Sequence, residues 1–203
     1  MTRTLAPTRE RLLEAARALI EEEGYGGASV IAISSRAGVA TGTLYRHFSS
    51  KEELFVEVFR SACERELAAM GEAAGAMAPD CPHVERLVTV LGTFARRALR
   101  RPRLAWALIA EPVDPLVDAE RLVWRARYTE LAARALRAAI AAGELSDQDV
   151  EFTAAALIGG CGEALVGPLS PLRSNPPLAS AVLAAQRTFV RRAVGANDVA
   201  GPG

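Results

Sequence analysis

Apolar residues recur three and four positions apart along most of this 203-residue chain, in segments that proline and glycine separate. In the first segment, RERLLEAARALIEEEG, this spacing forms one apolar helical face, made by Leu12, Leu13, Ala16, Leu19 and Ile20. Gly24 can end that helix. Alanine and arginine recur throughout, and both lose little conformational freedom in a helix. The sequence therefore predicts an all-α fold.

Two short helices follow, joined by a tight turn that contains Gly38. Ser29 can cap the first of them, VIAISSRA. The second is TGTLYRHF, in which Leu44 and Phe48 lie one helical turn apart, and the two serines after it are the next cap signal. Two helices joined in this way are typical of a helix-turn-helix, whose second helix enters the major groove of DNA.

Proline, glycine and Asp/Ser caps divide the rest of the chain into six more predicted helices, for a total of about nine. Their expected ranges are 51–77, 83–100, 102–110, 115–142, 147–167 and 178–194. We predict a three-helix domain over 1–50 and a larger helical domain over 51–195. The tail, 196–203, has too little apolar surface to pack, and we expect it to be disordered.

The charges exclude bulk attraction to nucleic acid or lipid, because 24 basic residues balance 24 acidic residues. Any binding to DNA must be local. The three cysteines have no paired spacing, and the first residues lack the apolar core of a signal peptide. Glu163 interrupts the longest apolar run. We expect a cytoplasmic protein without a membrane segment.

The outward face of TGTLYRHF carries the predicted DNA contacts. With its two large apolar residues turned inward, this helix presents Thr41, Gly42, Thr43, Arg46 and His47, with Tyr45 at the edge. That face is short of carboxylates and can approach phosphate. Gly42 removes a side chain near the helix N-terminus, where the helix dipole favours an anion.

The stretch GYGGASVIAISSRAGVATGTLYRHFSSKEELF closely resembles the DNA-binding region of TetR/AcrR transcriptional regulators. The resemblance covers roughly residues 9–59, and AGV, GTLY, HF and SKEEL are its most diagnostic parts. Two residues depart from the family pattern. Ala40 stands where the family usually has a serine that starts the recognition helix, so we expect capping to pass to Thr41. Ser34 stands where the family usually has alanine.

The resemblance implies a DNA-binding homodimer that recognises a near-palindromic operator and acts as a repressor released by a small-molecule ligand. Arg46 is expected to read a base, because arginine pairs bidentately with guanine. Thr43 is expected to touch a thymine methyl or a phosphate. The chain's one lysine, Lys51, is expected to clamp the DNA backbone, unless it lies on a solvated turn without a role. Other expected backbone contacts are Ser29, Tyr45 and His47, although His47 could equally pack against its own helix end.

The resemblance also makes 51–195 a ligand-binding and dimerisation domain. Candidate ligand contacts are aromatic and polar residues within apolar helices: Phe94, Trp106, Glu111, Trp124, Tyr128, Phe152, Cys161 and Glu163. Ordinary core packing is the alternative for each. The effector is expected to be hydrophobic or amphipathic, and an amphipathic cation if Glu111 and Glu163 both face inward. The last two helices are expected to form the dimer interface, with Gly159, Gly160, Gly162, Leu183, Phe189 and Val190.

No catalytic constellation, cofactor motif or metal site is evident. His47 belongs to the DNA helix, and the neighbours Cys81 and His83 do not make a tetrahedral zinc site. The glycines near 160 fit neither a dinucleotide nor a Walker motif. An enzyme is therefore not expected. The alternative function is a helical ligand-binding or interaction protein that has lost specific DNA binding, and salt-dependent duplex binding separates the two.

Overall fold

A computed structural model describes residues 7–111 and 114–196, and within these ranges it contains nine α-helices and no strand. The all-α prediction with about nine helices is confirmed. Of the tail predicted to be disordered, only Ala196 lies within the described residues. The helices are α1 (Thr8–Gly27), α2 (Val30–Arg36), α3 (Thr41–His47), α4 (Lys51–Gly75), α5 (His83–Arg100), α6 (Pro102–Ile109), α7 (Pro115–Ala141), α8 (Val150–Leu169) and α9 (Ala179–Ala193).

One helix start and one helix cap differ from the prediction. α8 begins at Val150 rather than near 147, because the Asp149 side chain accepts a hydrogen bond from the Phe152 N–H at 3.0 Å and caps the helix there. The expectation that Thr41 caps α3 is wrong. Ala40 occupies the cap position in an extended conformation, Thr41 is already helical, and no side chain caps this helix.

Backbone contacts divide the chain into two compact units. The first contains the described residues through Glu64 together with Arg101–Leu122, and the second contains Arg65–Arg100 together with the described residues from Val123 onward. Segment 101–122 thus belongs to the same unit as the helix-turn-helix, although more than thirty residues separate it from Glu64. The core of the first unit includes the fully buried side chains of Leu12, Ile33, Leu44 and Leu54.

The sequence predicts that α1 can end at Gly24; the helix is interrupted there, but helical turns resume and continue to Gly27. Gly24 has φ 80° and ψ 178°, a backbone conformation that residues other than glycine rarely adopt. The interruption releases main-chain groups of α1 from the regular helical hydrogen-bonding pattern. Their replacement partner comes from a distant part of the same unit, as described below.

The second unit is built around one apolar cluster that four helices share. It contains residues of α5, α7, α8 and α9, among them Leu87, Leu136, Leu157 and Val190. Among the described residues, α8 is the one helix with the length and apolar composition to cross a bilayer. Those two properties are weak evidence alone, and α8 contributes Ala154, Leu157 and Cys161 to this cluster.

Candidate nucleic-acid interface

The turn between α2 and α3 is closed by its own main chain. The Ala37 N–H donates to Ile33 O at 2.9 Å, the Gly38 N–H to Ser35 O at 3.1 Å, and the Val39 N–H to Ser34 O at 3.0 Å. Gly38 has φ 66°, so this helix end requires glycine. The buried side chains of Leu44 and Phe48 then hold α3 on the core. The angle between the two helices is therefore set by local hydrogen bonds and by burial.

Arg11 on α1 binds this turn directly. Its Nε donates to Ala37 O at 3.1 Å, and its Nη2 donates to Ala37 O and also to Gly38 O at 3.2 Å. One planar guanidinium thereby fixes the carbonyl groups that precede α3. The sequence analysis missed this residue. The available signal was that Arg11 lies one helical turn before the buried Ala15, on the core-facing side of α1.

The exposed face of α3 consists of the residues expected to contact DNA. Thr41, Gly42, Arg46 and His47 are exposed, Thr43 is half-buried, and Tyr45 is 54% exposed. A Cβ atom added to Gly42 would meet nothing within 4 Å, so the fold itself does not require glycine there. Within the described chain, Arg46 forms no ion pair. Its guanidinium is therefore available to a partner.

The electrostatics around α3 favour an anion. Between Glu23 and Glu52 the sequence contains no carboxylate, while Arg36, Arg46 and Lys51 supply positive charge. The Arg36 guanidinium is engaged by Glu22 at 2.6 Å. Residues 24–51 thus carry a net positive charge even though the whole chain is neutral.

Ser29 caps α2, which confirms the predicted helix start. Its Oγ accepts a hydrogen bond from the Ala32 N–H at 3.1 Å, and the residue is exposed. A hydroxyl that accepts from its own helix still has one O–H to donate. Ser29 can therefore stabilise α2 and donate to a phosphate at the same time.

A reciprocal cap sets the start of α4, where Lys51 is the first helical residue. Ser50 Oγ accepts from the Glu53 N–H at 3.1 Å. The Glu53 carboxylate accepts from both the hydroxyl and the N–H of Ser49, each at 2.6 Å. These hydrogen bonds, the hydroxyl's first, lower the pKa of Glu53. The capping box fixes the backbone from which Lys51 projects.

Lys51 has a packing role that its sequence context did not reveal. Its Nζ lies 5.1 Å from the centre of the Tyr25 ring and 5.0 Å from that of Phe55, and the two rings are 4.4 Å apart. Phe55 is one helical turn along α4 from Lys51. Burial, followed by the negative charges of nearby carboxylates, raises the pKa of Tyr25, so its ring remains neutral. Cation–π attraction therefore orders the ammonium group.

Comparison with known proteins agrees with this geometry. A family profile described as bacterial regulatory proteins, tetR family, matches residues 12–58. The transcriptional regulator UidR of Escherichia coli strain K12 is 33% identical over 141 residues, which span 69% of this chain and 70% of UidR. The chain belongs to the TetR family. It is a DNA-binding transcriptional regulator.

Two further proteins extend the comparison, one by sequence and one by fold. The transcriptional repressor KstR of Rhodococcus jostii strain RHA1 is 37% identical over 100 residues, which span 49% of this chain and 45% of KstR. The structure of FadR from Bacillus subtilis, in complex with stearoyl-CoA, matches with a TM-score of 0.74 at 21% identity. That match covers 93% of this chain and 99% of FadR, so the fold is shared along almost the whole length.

In the second unit of this TetR-family protein, three of the predicted ligand residues lie together. The ring centres of Phe94 and Tyr128 are 5.8 Å apart, and those of Trp124 and Tyr128 are 6.2 Å apart. The Arg127 guanidinium lies 4.4 Å from the centre of the Trp124 ring. The aromatic cluster formed by Phe94, Trp124 and Tyr128 could make an apolar wall with a cation at its edge.

The other predicted ligand residues are placed differently. Phe152 is 74% exposed and Glu163 is exposed, whereas Cys161 is buried in the core cluster. Burial raises the pKa of the Cys161 thiol, although a hydrogen bond with Gln186 opposes this. Trp106, half-buried, belongs to the first unit.

Glu111 also lies in the first unit, where its carboxylate accepts from the Tyr25 N–H. An amphipathic cation is expected only if Glu111 and Glu163 both face inward. Glu163 is exposed and Glu111 is bound to the main chain of α1, so this condition is not met. Among the described residues, no group of three His, Cys, Asp or Glu side chains could hold a metal ion.

The predicted dimer residues lie on α8 and α9. Gly159, Gly160 and Phe189 are exposed, and Gly162 and Leu183 are half-buried, whereas Val190 is 1% exposed and packs into the core of its own unit. A Cβ atom on Gly160 would lie 3.4 Å from the Phe189 ring, so this ring lies against α8 at Gly160. Beside Phe189, α9 presents an open, mostly apolar surface formed by Ala184, Ala185, Thr188, Phe189, Arg192 and Ala193.

Proposed function

We propose that this protein is a cytoplasmic homodimeric repressor whose two α3 helices enter successive major grooves of a near-palindromic operator. The half-sites would lie roughly one helical turn apart. The observation that carries this proposal is the exposed, carboxylate-free face of α3, held at a fixed angle by Leu44, Phe48 and Arg11. The protein has no catalytic role in this proposal.

Within each half-site, Arg46 reads a base edge and Gly42 allows close approach of the α3 backbone to DNA. Lys51, Ser29, Thr41 and the other polar residues of α3 bind the sugar-phosphate backbone and set the register. In domain terms, residues 1–50 bind DNA together with Lys51 at the start of α4, and the rest of 51–195 carries dimerisation and effector binding. Dimerisation uses the exposed faces of α8 and α9, where glycine and alanine allow close helix approach.

The effector, in this proposal, is a hydrophobic or amphipathic molecule that binds the second unit next to the aromatic cluster of Phe94, Trp124 and Tyr128. Its binding disfavours the DNA-bound arrangement, with a coupling of about 1–3 kcal/mol. The relative FadR, whose structure contains stearoyl-CoA, supports an amphipathic acyl ligand as the first candidate. The relative KstR, a transcriptional repressor, supports repression as the mode of action.

The first experiment is selection of bound duplexes from a random DNA pool by the purified protein. We expect an inverted repeat to be enriched. Arg46→Ala should lose about 1–3 kcal/mol of discrimination at one base position of each half-site. Arg36→Ala is the matched control, because it removes the same charge from the same domain but from a guanidinium engaged by Glu22. Failure of the wild-type protein to enrich any repeat would contradict the proposal.

Gly42→Ala separates folding from DNA binding. Glycine inside a helix costs about 1 kcal/mol relative to alanine, and the added methyl group meets no atom of this chain. We therefore expect the variant to be more stable to urea and yet to bind the selected operator more weakly. If operator affinity is unchanged, the backbone of α3 does not approach DNA at this position.

Stearoyl-CoA is the first effector probe. At saturation it should weaken binding to the selected operator about 5- to 150-fold, and operator DNA should weaken stearoyl-CoA binding by the same factor. Coenzyme A alone and stearate alone show which part of the ligand is recognised. Unchanged operator affinity at saturating stearoyl-CoA would exclude it as the effector.

A further inference from the structure

The carboxylate of Glu111 is bound to the main chain of α1 at its interruption. The Tyr25 N–H lies 3.1 Å from Glu111 Oε2 and 3.2 Å from Oε1. A Cβ atom on the neighbouring Gly24 would come within 3.1 Å of the same carboxylate, and Gly24 already has φ 80°. Glycine therefore provides both the backbone conformation and the space that this contact requires. The carboxylate accepts a hydrogen bond from an N–H group that would otherwise donate within the regular helix.

Glu111 is itself held from the opposite side. Arg121 on α7 donates from Nη2 to Glu111 O and to Ala107 O, each at 2.8 Å, and from Nε to Leu108 O at 3.0 Å. One guanidinium thus satisfies the last carbonyl groups of α6 and the main chain of Glu111 together. The Glu111 carboxylate therefore reaches α1 from a main chain that Arg121 holds in place.

The contact continues from Tyr25 to the start of α4. The Tyr25 ring packs against the Phe55 ring in a tilted arrangement, with their centres 4.4 Å apart, and the Lys51 ammonium lies about equally far from both rings, at 5.1 and 5.0 Å. Holding the Tyr25 main chain therefore holds one of the two surfaces on which Lys51 rests. A long lysine side chain that is already ordered loses less conformational entropy when it binds a phosphate.

We propose that Glu111 is a positioning residue for DNA binding. By anchoring α1 at Tyr25, it keeps the Tyr25 ring beneath Lys51 and so aims the ammonium group at the DNA backbone. The proposal rests on the phosphate contact proposed above for Lys51. It assigns to Glu111 a role in the DNA-binding unit in place of the ligand contact that the sequence predicts.

The test is a double-mutant cycle on operator affinity, measured across salt concentrations with the full-length protein. Glu111→Ala removes a negative charge, which by long-range electrostatics alone would strengthen DNA binding. We expect the opposite, a weakening of about tenfold, together with a salt slope reduced by about one phosphate. Lys51→Ala should have a similar effect. The affinity of the double variant should be within about twofold of that of the weaker single variant, because both substitutions remove the same contact between Lys51 and the DNA backbone.

Glu120→Ala is the matched control. Glu120 belongs to the same unit and pairs with Arg60 at 2.9 Å, so the variant makes the same charge change and leaves the hydrogen bonds from the Tyr25 N–H to Glu111 in place. We expect its operator affinity to stay within about twofold of wild type and its salt slope to be unchanged. Equal behaviour of Glu111→Ala and Glu120→Ala would overturn the proposal, as would additive effects of Glu111→Ala and Lys51→Ala.

A second variant covers the case in which Glu111→Ala does not fold, as judged by circular dichroism. Glu111→Gln keeps the size of the side chain and one acceptor oxygen. Hydrogen exchange should then be faster at the Tyr25 amide, with a reduced salt slope, and unchanged exchange and slope would overturn the proposal. If the wild-type protein selects no operator at all, the proposed function fails first, and that result is distinguishable from a failure of Glu111 alone.

Discussion

Ser34→Ala is expected to stabilise this protein although it removes a polar group. Ser34 lies on α2 and is 1% exposed, and its Oγ has no hydrogen-bond partner in the described structure. A buried hydroxyl without a partner costs about 1–3 kcal/mol of desolvation. Replacement by alanine removes one oxygen atom and leaves only a small void, so most of that cost should be recovered.

Ser35→Ala provides the matched control, because Ser35 is the next residue of the same helix and is exposed. In both variants, replacing serine by alanine raises the intrinsic helix propensity by the same amount, which is less than about 0.7 kcal/mol. Their difference isolates the burial of the hydroxyl. We expect Ser34→Ala to be more stable than Ser35→Ala by about 1–2 kcal/mol, which for a chain of this length is a Tm difference of about 2–8 °C.

The assay is urea and thermal unfolding followed by far-ultraviolet circular dichroism, with two transitions fitted if the two units unfold separately. The expected order of stability is Ser34→Ala, then Ser35→Ala, then wild type. If Ser34→Ala is no more stable than Ser35→Ala, the hydroxyl is satisfied in solution, for example by a buried water molecule, and the reasoning from burial is refuted.

Three further predictions concern the DNA-binding unit and the dimer. Arg11→Lys keeps the charge but loses the planar guanidinium that binds the turn before α3, so operator affinity should fall about tenfold with an unchanged salt slope in filter binding. Unchanged affinity would show that these hydrogen bonds from Arg11 do not position α3. Phe189→Asp should convert dimers to monomers in analytical ultracentrifugation, whereas a persistent dimer would place the interface elsewhere. Because Ser49 lowers the folded pKa of Glu53, the ionised carboxylate stabilises the protein above its unfolded pKa of about 4.3, and this contribution is lost as pH falls through the folded pKa. Wild type should therefore lose urea stability between about pH 5 and 3 more steeply than Glu53→Gln. Parallel stability curves for the two proteins would contradict the cap.

Local features of the sequence were sufficient to predict most helices. Apolar spacing marks each amphipathic segment, and proline, glycine and serine mark the ends, because these signals act within a few residues. The Ser29 cap, the break at Gly24 and the inward positions of Leu44 and Phe48 were predictable for this reason. The start of α8 was misplaced because Asp147 and Asp149 are both plausible caps, and only the backbone geometry selects Asp149.

What the sequence by itself determined is therefore the all-α fold, the helix-turn-helix and the face of α3 that is free to meet DNA. What only the tertiary structure decided is which distant side chains support that face. Arg11 reaches a turn 26 residues away, and Glu111 reaches Tyr25 across 86 residues. Such contacts depend on how the helices pack, and a carboxylate after an apolar helix has the same local pattern whether it meets a ligand, water or another helix. Periodicity shows which side of a helix is buried, but packing alone determines which partner it meets.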